Sequence, residues 1–171
     1  VTSSSVRVGG DELDEAIIQW VKKEHGLALG ERTAEEVKMS LGSAWPLEQE
    51  LAAELRGRDL VSGLPKTVVT TTEEIREALE EPVTAIVDAV KVTLDTTPPE
   101  LAADVMERGI VLTGGGSLLL GMRERLEAET GMPVVLADDP LLSVAVGSGR
   151  SLEAFEALRG VLFSASKPLM S

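Results

Sequence analysis

The sequence has no cysteine and no tyrosine, and its aromatic side chains come to two tryptophans and two phenylalanines. Without cysteine, a disulfide framework and a thiolate metal site are both excluded, and a reducing, cytoplasmic setting fits. With so few aromatics, Leu, Val, Ile and Ala must build the core. Basic residues are also scarce: 16 Lys and Arg stand against 29 Asp and Glu, a net charge of −13. That balance argues against nucleic acid or an anionic lipid surface as a partner. No apolar run reaches the ~18 residues of a membrane span, and the start carries no leader pattern. The single histidine, His25, reads as a surface residue near a helix end.

What is present is a globular composition, 43% apolar over 171 residues, enough for one medium domain or two small units. "SVRV" near the start alternates like a strand. Leu13, Ala16, Ile17, Trp20 and Val21 then recur at helical spacing, which predicts a helix over 11–24 with Asp11 as N-cap and Gly26 as stop. "RTAEEVKMSLGSA" predicts a second helix, with Thr33 and Glu36 as a capping box. Its inner face is Ala34, Val37 and Leu41, and a separate stripe carries Glu35, Lys38 and Gly42. Residues 47–72 open with helical character but are broken by glycines, and read as two or three short strands including "KTVVT". Two helices parted at Pro82 follow, and Pro99 opens a shorter one. From 109 the pattern becomes strand (Ile110–Leu112, of the buried type), glycine loop, helix (117–129, inner face Leu118, Leu119, Met122 and Leu126) and strand (134–136). This is a βαβ unit with parallel strands. A helix from about Leu141 and another near Ser151 complete the chain, with "LFSASKPLMS" read as a frayed tail.

"GIVLTGGGSLLLGM" is the most informative stretch. Ligands in open parallel sheets sit beyond the carboxyl ends of the strands, where Gly114, Gly115 and Gly116 fall. Bare backbone there admits a flat or charged group, and a nucleotide is the natural candidate. A P-loop fails, because Met122 stands where its lysine belongs. A dinucleotide fingerprint finds Gly114, Gly116 and a ribose-binding acid in Asp138, but Leu119 replaces its last glycine. A tight turn without ligand remains open on local evidence.

The stretches "SVRVGGDELDEAIIQWVKKEHGLALGERTAEEVKMSLGSAWP", "GRDLVSGLPKTVVTTTEEIREALEEPV", "TPPELAADVMERGIVLTGGGSLLLGM" and "GMPVVLADDPLLSVAVGSGRSLE" resemble, in order, the C-terminal half of the MreB family of bacterial actin-like cell-shape proteins. The resemblance implies an α/β fold of the actin and chaperone-ATPase type: a parallel or mixed sheet with flanking helices, plus a small inserted α+β subdomain. Residues 1–10 and 83–171 would form the core subdomain and 11–82 the insert, with Trp45 packed in its core. Thr113–Ser117 corresponds to the adenosine motif, with Gly114, Gly115, Gly116 and Ser117 passing against adenine and ribose. Glu35, Glu36, Val37 and Lys38 correspond to the helix on the other side. Glu35 would take a ribose or base hydrogen bond, Lys38 would lend its stem or ammonium, and Gly42 would leave room for the base.

The cofactor implied is ATP, with Mg²⁺ held mainly by a first half of the fold that this sequence lacks. That half would carry both phosphate loops, the catalytic acid and the membrane-binding segments, so no catalytic residue is assigned here and an open sheet edge is expected. Slow ATP hydrolysis belongs to full-length members. The partners implied are further copies in a filament and a transmembrane scaffold protein of the shape complex. The location implied is cytoplasmic, at the inner face of the membrane, in the service of cell-wall synthesis and rod shape. Two alternatives stay open: a nucleotide-free module that caps filaments, and a dinucleotide-binding domain.

Overall fold

The computed structural model describes residues 1–155. Helix α1, Gly10–His25, ends at Gly26, which takes the left-handed conformation a helix stop favours. Its cap is Gly9 rather than Asp11, because the Glu12 carboxylate accepts the Gly9 N–H at 2.8 Å. The two-residue strand β1, Leu27–Ala28, follows, then α2, Glu31–Leu41. Gly30 caps α2, so Thr33 lies inside the helix and its expected box with Glu36 does not form. The reciprocal box occurs instead at Thr71 and Glu74, opening α3.

Strands β2, Ala52–Asp59, and β3, Pro65–Thr71, form an antiparallel hairpin, and β1 pairs with the outer edge of β2. Strand pairing thus displaces the helical start expected after residue 47. Leu55 points into the core while its neighbours in sequence are exposed. The two helices expected around Pro82 are one, α3, Thr72–Asp95. An interior proline costs about 3 kcal/mol. Leu79, Val83 and Val87 bury one continuous face across it, and burial contributes about 1.5–3 kcal/mol for each large side chain. The boundary expected at 82/83 therefore falls within a single helix.

Helix α4, Pro99–Arg108, has Pro99 at its first turn and leads into β4, Ile110–Leu112. A single 3₁₀ turn, Gly115–Leu118, then α5, Met122–Thr130, and β5, Val134–Leu136, complete a βαβ unit with β4 and β5 parallel. The helix expected over 117–129 starts later, because Gly121 interrupts it at φ 73°. Leu118 is consequently exposed, while Leu119, Met122 and Leu126 are buried as expected. β4 is not of the fully buried type: Val111 is 62% exposed. Helix α6, Ser143–Glu153, runs past Ser151 and ends at Ala154, so any further helix begins after 151, largely outside the described residues. Residues 1–8 form no strand, since none of the described residues pairs with them. The expected frayed tail lies outside the described residues.

One core joins these parts. Ile17 and Val21 of α1, Ala34 of α2, Leu55 of β2 and Ile75 and Leu79 of α3 meet at its centre. Leu126 and Val134 connect it to the βαβ unit. Ion pairs reinforce that connection. Arg125 of α5 grips Glu80 of α3 through two hydrogen bonds of 2.7 and 3.1 Å, and Lys91 reaches Glu129 at 2.5 Å. The Arg125 guanidinium holds the Glu80 carboxyl below its ordinary range.

Candidate nucleotide cleft

The glycine loop and α2 lie far apart in sequence and come together through one seam. Ser43, just beyond α2, bridges in parallel to Leu120, and the Ala44 N–H donates to the Leu120 carbonyl at 2.7 Å. Two glycines let these backbones approach. A Cβ on Gly121 would sit 2.5 Å from Trp45 Cβ, and a Cβ on Gly42 would meet the Lys38 carbonyl at 2.3 Å and Leu119 at 3.0 Å. Trp45 therefore serves the seam through its backbone and Cβ. Its ring is not in the core: the residue is 37% exposed. Arg76 of α3 braces the same segment, donating to Ser43 Oγ at 3.1 Å, the Trp45 carbonyl at 3.4 Å and Glu50 at 2.8 Å. The Arg76 bond foremost, and next a hydrogen bond that the Thr72 hydroxyl donates to Glu50, hold the Glu50 carboxyl below its ordinary range.

Above the seam opens a cleft of about 540 Å³, within the range of small-molecule sites. One wall comes from α1 and α2: Gly10, Leu13, Glu35, Lys38, Met39 and Gly42. The opposite wall is Gly115, Gly116, Leu118–Leu120 and Leu141. The Gly114 N–H and Thr113 Oγ both donate to the Pro140 carbonyl, at 2.8 and 3.0 Å, which sets Leu141 beside the loop.

Five of the nine residues expected from sequence share this cleft: Glu35, Lys38, Gly42, Gly115 and Gly116. The other four serve elsewhere. Glu36 is exposed and accepts from Arg32 at 3.2 Å. Val37 is buried in the core. Gly114 provides the turn at φ 83°, and Ser117 Oγ donates back to the Gly114 carbonyl at 2.6 Å. Asp138, the acid of the dinucleotide alternative, is exposed and does not line the cleft.

Met39 was readable from spacing, since it lies four residues after Glu35 on the same stripe. Leu141 was not, because only the Pro140 hydrogen bonds bring it there. Lys38 is engaged: its ammonium lies 2.9 and 3.0 Å from the two Asp14 carboxylate oxygens and donates to the Gly10 carbonyl at 3.1 Å.

Gly115 and Gly116 have no comparable use within the protein. A Cβ on Gly116 would meet nothing within 4 Å, and one on Gly115 only Leu141 at an ordinary 3.6 Å. Neither has a left-handed φ. Among the described residues neither amide donates a hydrogen bond. What is left is bare backbone with free N–H donors on one side, and a carboxylate and a thioether on the other.

Comparison with known proteins places the sequence and the fold. The model of the MreB/Mbl protein family matches residues 1–160. The cell shape-determining protein MreB of Escherichia coli K12 is 52% identical over 164 residues, 96% of this chain and 47% of that protein. Mbl of Bacillus subtilis is 44% identical over 92% of the chain and 47% of its own length. The crystal structure of MreB5 of Spiroplasma citri bound to ADP superposes with a TM-score of 0.88 at 35% identity, over 94% of this chain and 49% of that one. A MamK double helical filament shares the fold, with a TM-score of 0.72 at 24% identity over 88% of this chain and 46% of that one. The chain thus spans about half the length of these relatives. Its architecture is actin-like, and it belongs to the MreB/Mbl family.

Proposed function

We propose that this chain supplies the adenosine side of a nucleotide clamp in a filament-forming protein that organises cell-wall synthesis and rod shape. The observation that carries the nucleotide reading is the unclaimed space at Gly115 and Gly116, which the fold itself does not require to be glycine. Both line the cleft opposite Glu35. Adenosine would lie between the glycine loop and α2. Glu35 would accept from a ribose or base donor, Met39 would cover the base with its thioether, and the stem of Lys38 would flank it. The relative MreB5 binds ADP in one structure and AMPPNP in another, in support of the same ligand class.

Filament assembly is proposed by analogy with the MamK filament, and the shape-determining role by analogy with MreB and Mbl. By family resemblance, a transmembrane scaffold partner would place such filaments at the membrane; no helix among the described residues is long and apolar enough to cross one. No Mg²⁺ ligand is assigned, because no three acidic, His or Cys side chains cluster among the described residues. We read α1, α2, β1–β3 and the first half of α3 as the smaller subdomain, and the βαβ unit as part of the larger. The separate antiparallel and parallel sheets support that division.

The test is calorimetric titration of ADP and ATP into the chain, with NAD as control, beside the variant Gly115→Val. Binding of the adenosine nucleotides in preference to NAD, lost in Gly115→Val while its circular dichroism is unchanged, is the expected result. Equal affinity in the variant would sink the adenosine assignment. Absence of any binding would leave the nucleotide-free capping module, to be sought as an effect on polymerisation of an intact relative.

A further inference from the structure

Lys38 lines the cleft, yet its charged end is already engaged. The ammonium has three protons to donate. Two of them go to Asp14 Oδ2 at 3.0 Å and the Gly10 carbonyl at 3.1 Å, while Asp14 Oδ1 lies 2.9 Å away in ionic contact without a hydrogen bond of its own. The side chains of Lys38 and Asp14 are only 16% and 15% exposed. Turning the ammonium toward a ligand would leave the Asp14 carboxylate poorly solvated and without its cation, the costly way to break such a pair. Asp14 itself is not among the residues lining the cleft. The contact ties the first turns of α1 to the last turns of α2, the two helices that make one wall. Gly10 is small where this happens: a Cβ there would stand 3.3 Å from the Lys38 ammonium.

We propose that Lys38 is a positioning residue, whose ammonium works through Asp14 and the Gly10 carbonyl to fix α2 against α1, and so sets the width at which Glu35 and Met39 face the ligand. This rests on the adenosine reading above and adds how the wall is held. Asp14 then matters to ligand affinity without touching ligand, and the two side chains act as one unit.

The experiment is ADP titration by calorimetry on the wild type, Asp14→Asn, Lys38→Met, the double variant and Asp14→Glu, with hydrogen exchange of the α2 amides measured without nucleotide. Expected are similar losses in both single variants, roughly tenfold, and a double variant no weaker than either, since coupled neighbours are not additive. Asp14→Glu, which keeps the charge, should stay within about threefold of the wild type. The α2 amides should exchange faster in both single variants. If Lys38→Met weakens binding while Asp14→Asn does not, the ammonium meets the ligand directly and the proposal is overturned. Additive losses, or no loss in either variant, overturn it as well. If the wild type binds no ADP, the adenosine reading fails instead. The exchange data then decide the tie alone: equal acceleration in both variants upholds it, and unchanged α2 exchange removes it.

Discussion

The helices α1 and α2, strand β1 and the first half of α3 turn most of their large apolar side chains inward, with Ile17, Val21, Leu27, Ile75 and Leu79 entirely without exposure. The hairpin adds Leu55 to the same core, while Leu60, Val61, Leu64 and Val69 stay exposed. The later part of the chain is just as apolar in sequence and behaves otherwise. Neither α4 nor α6 contains a buried residue, and Val111, Leu136, Leu141, Val144 and Leu152 face outward. Apolar periodicity reports which side of an element prefers to be covered, whereas burial also needs an opposing surface. The first region has three helices and a sheet closing on each other. In the second, two short strands have one helix, α5, packed between them and α3.

The widest gap between the regions should appear in truncations. Ile17→Ala or Leu79→Ala should lose about 3 kcal/mol in urea unfolding, while Leu152→Ala should stay within about 0.5 kcal/mol. Equal losses would mean that α6 is packed as firmly as α1. Next comes the seam. Gly121→Ala combines a left-handed φ with an approach of 2.5 Å to Trp45, and should lose about 3 kcal/mol. Gly131→Ala has a similar φ and open space around it, and should lose only about 1 kcal/mol. Thermal unfolding of the pair separates crowding from backbone strain.

A smaller effect is expected where the regions join. The Glu80 carboxyl, held low by Arg125, contributes stability above the ordinary glutamate value of 4.5, and that stability is lost as pH falls through the depressed value. Arg125→Met should flatten this acid limb of the stability–pH curve, and an unchanged limb would show that the pair contributes nothing. The pair is largely solvent-screened, so the change at neutral pH should be modest, about 1 kcal/mol or less. The smallest change in stability is expected at Gly116→Ala, near zero, because nothing lies within 4 Å of the added methyl. The same variant should weaken ADP binding in calorimetry, and unaltered affinity would place the ligand elsewhere.

Much of this arrangement could be read from residues alone. The inner faces of α1 and α2, the parallel βαβ unit and the pairing of Gly115–Gly116 with the Glu35–Lys38–Gly42 stripe all follow from local spacing or family resemblance. The errors share a cause. Pro82 was read as a break because its cost is local, while the face it preserves is made by partners distant in sequence. Ala52–Asp59 looked partly helical because a strand's register depends on its neighbour, here β3. The Thr33 box and the Thr71 box have the same sequence form, and only the chain direction before each helix distinguishes them. Leu141 joined the cleft through backbone bonds at Pro140 that leave no trace in side-chain pattern.

The Ser43–Leu120 bridge has a consequence in time as well as in space. It joins two loops separated by the hairpin, all of α3, α4 and β4, so closing it is entropically expensive and must follow collapse of the intervening elements. The cleft is therefore expected to form late, and the Ala44 amide, buried and bonded to Leu120, should gain protection after the α1 and α3 amides in pulse-labelled refolding.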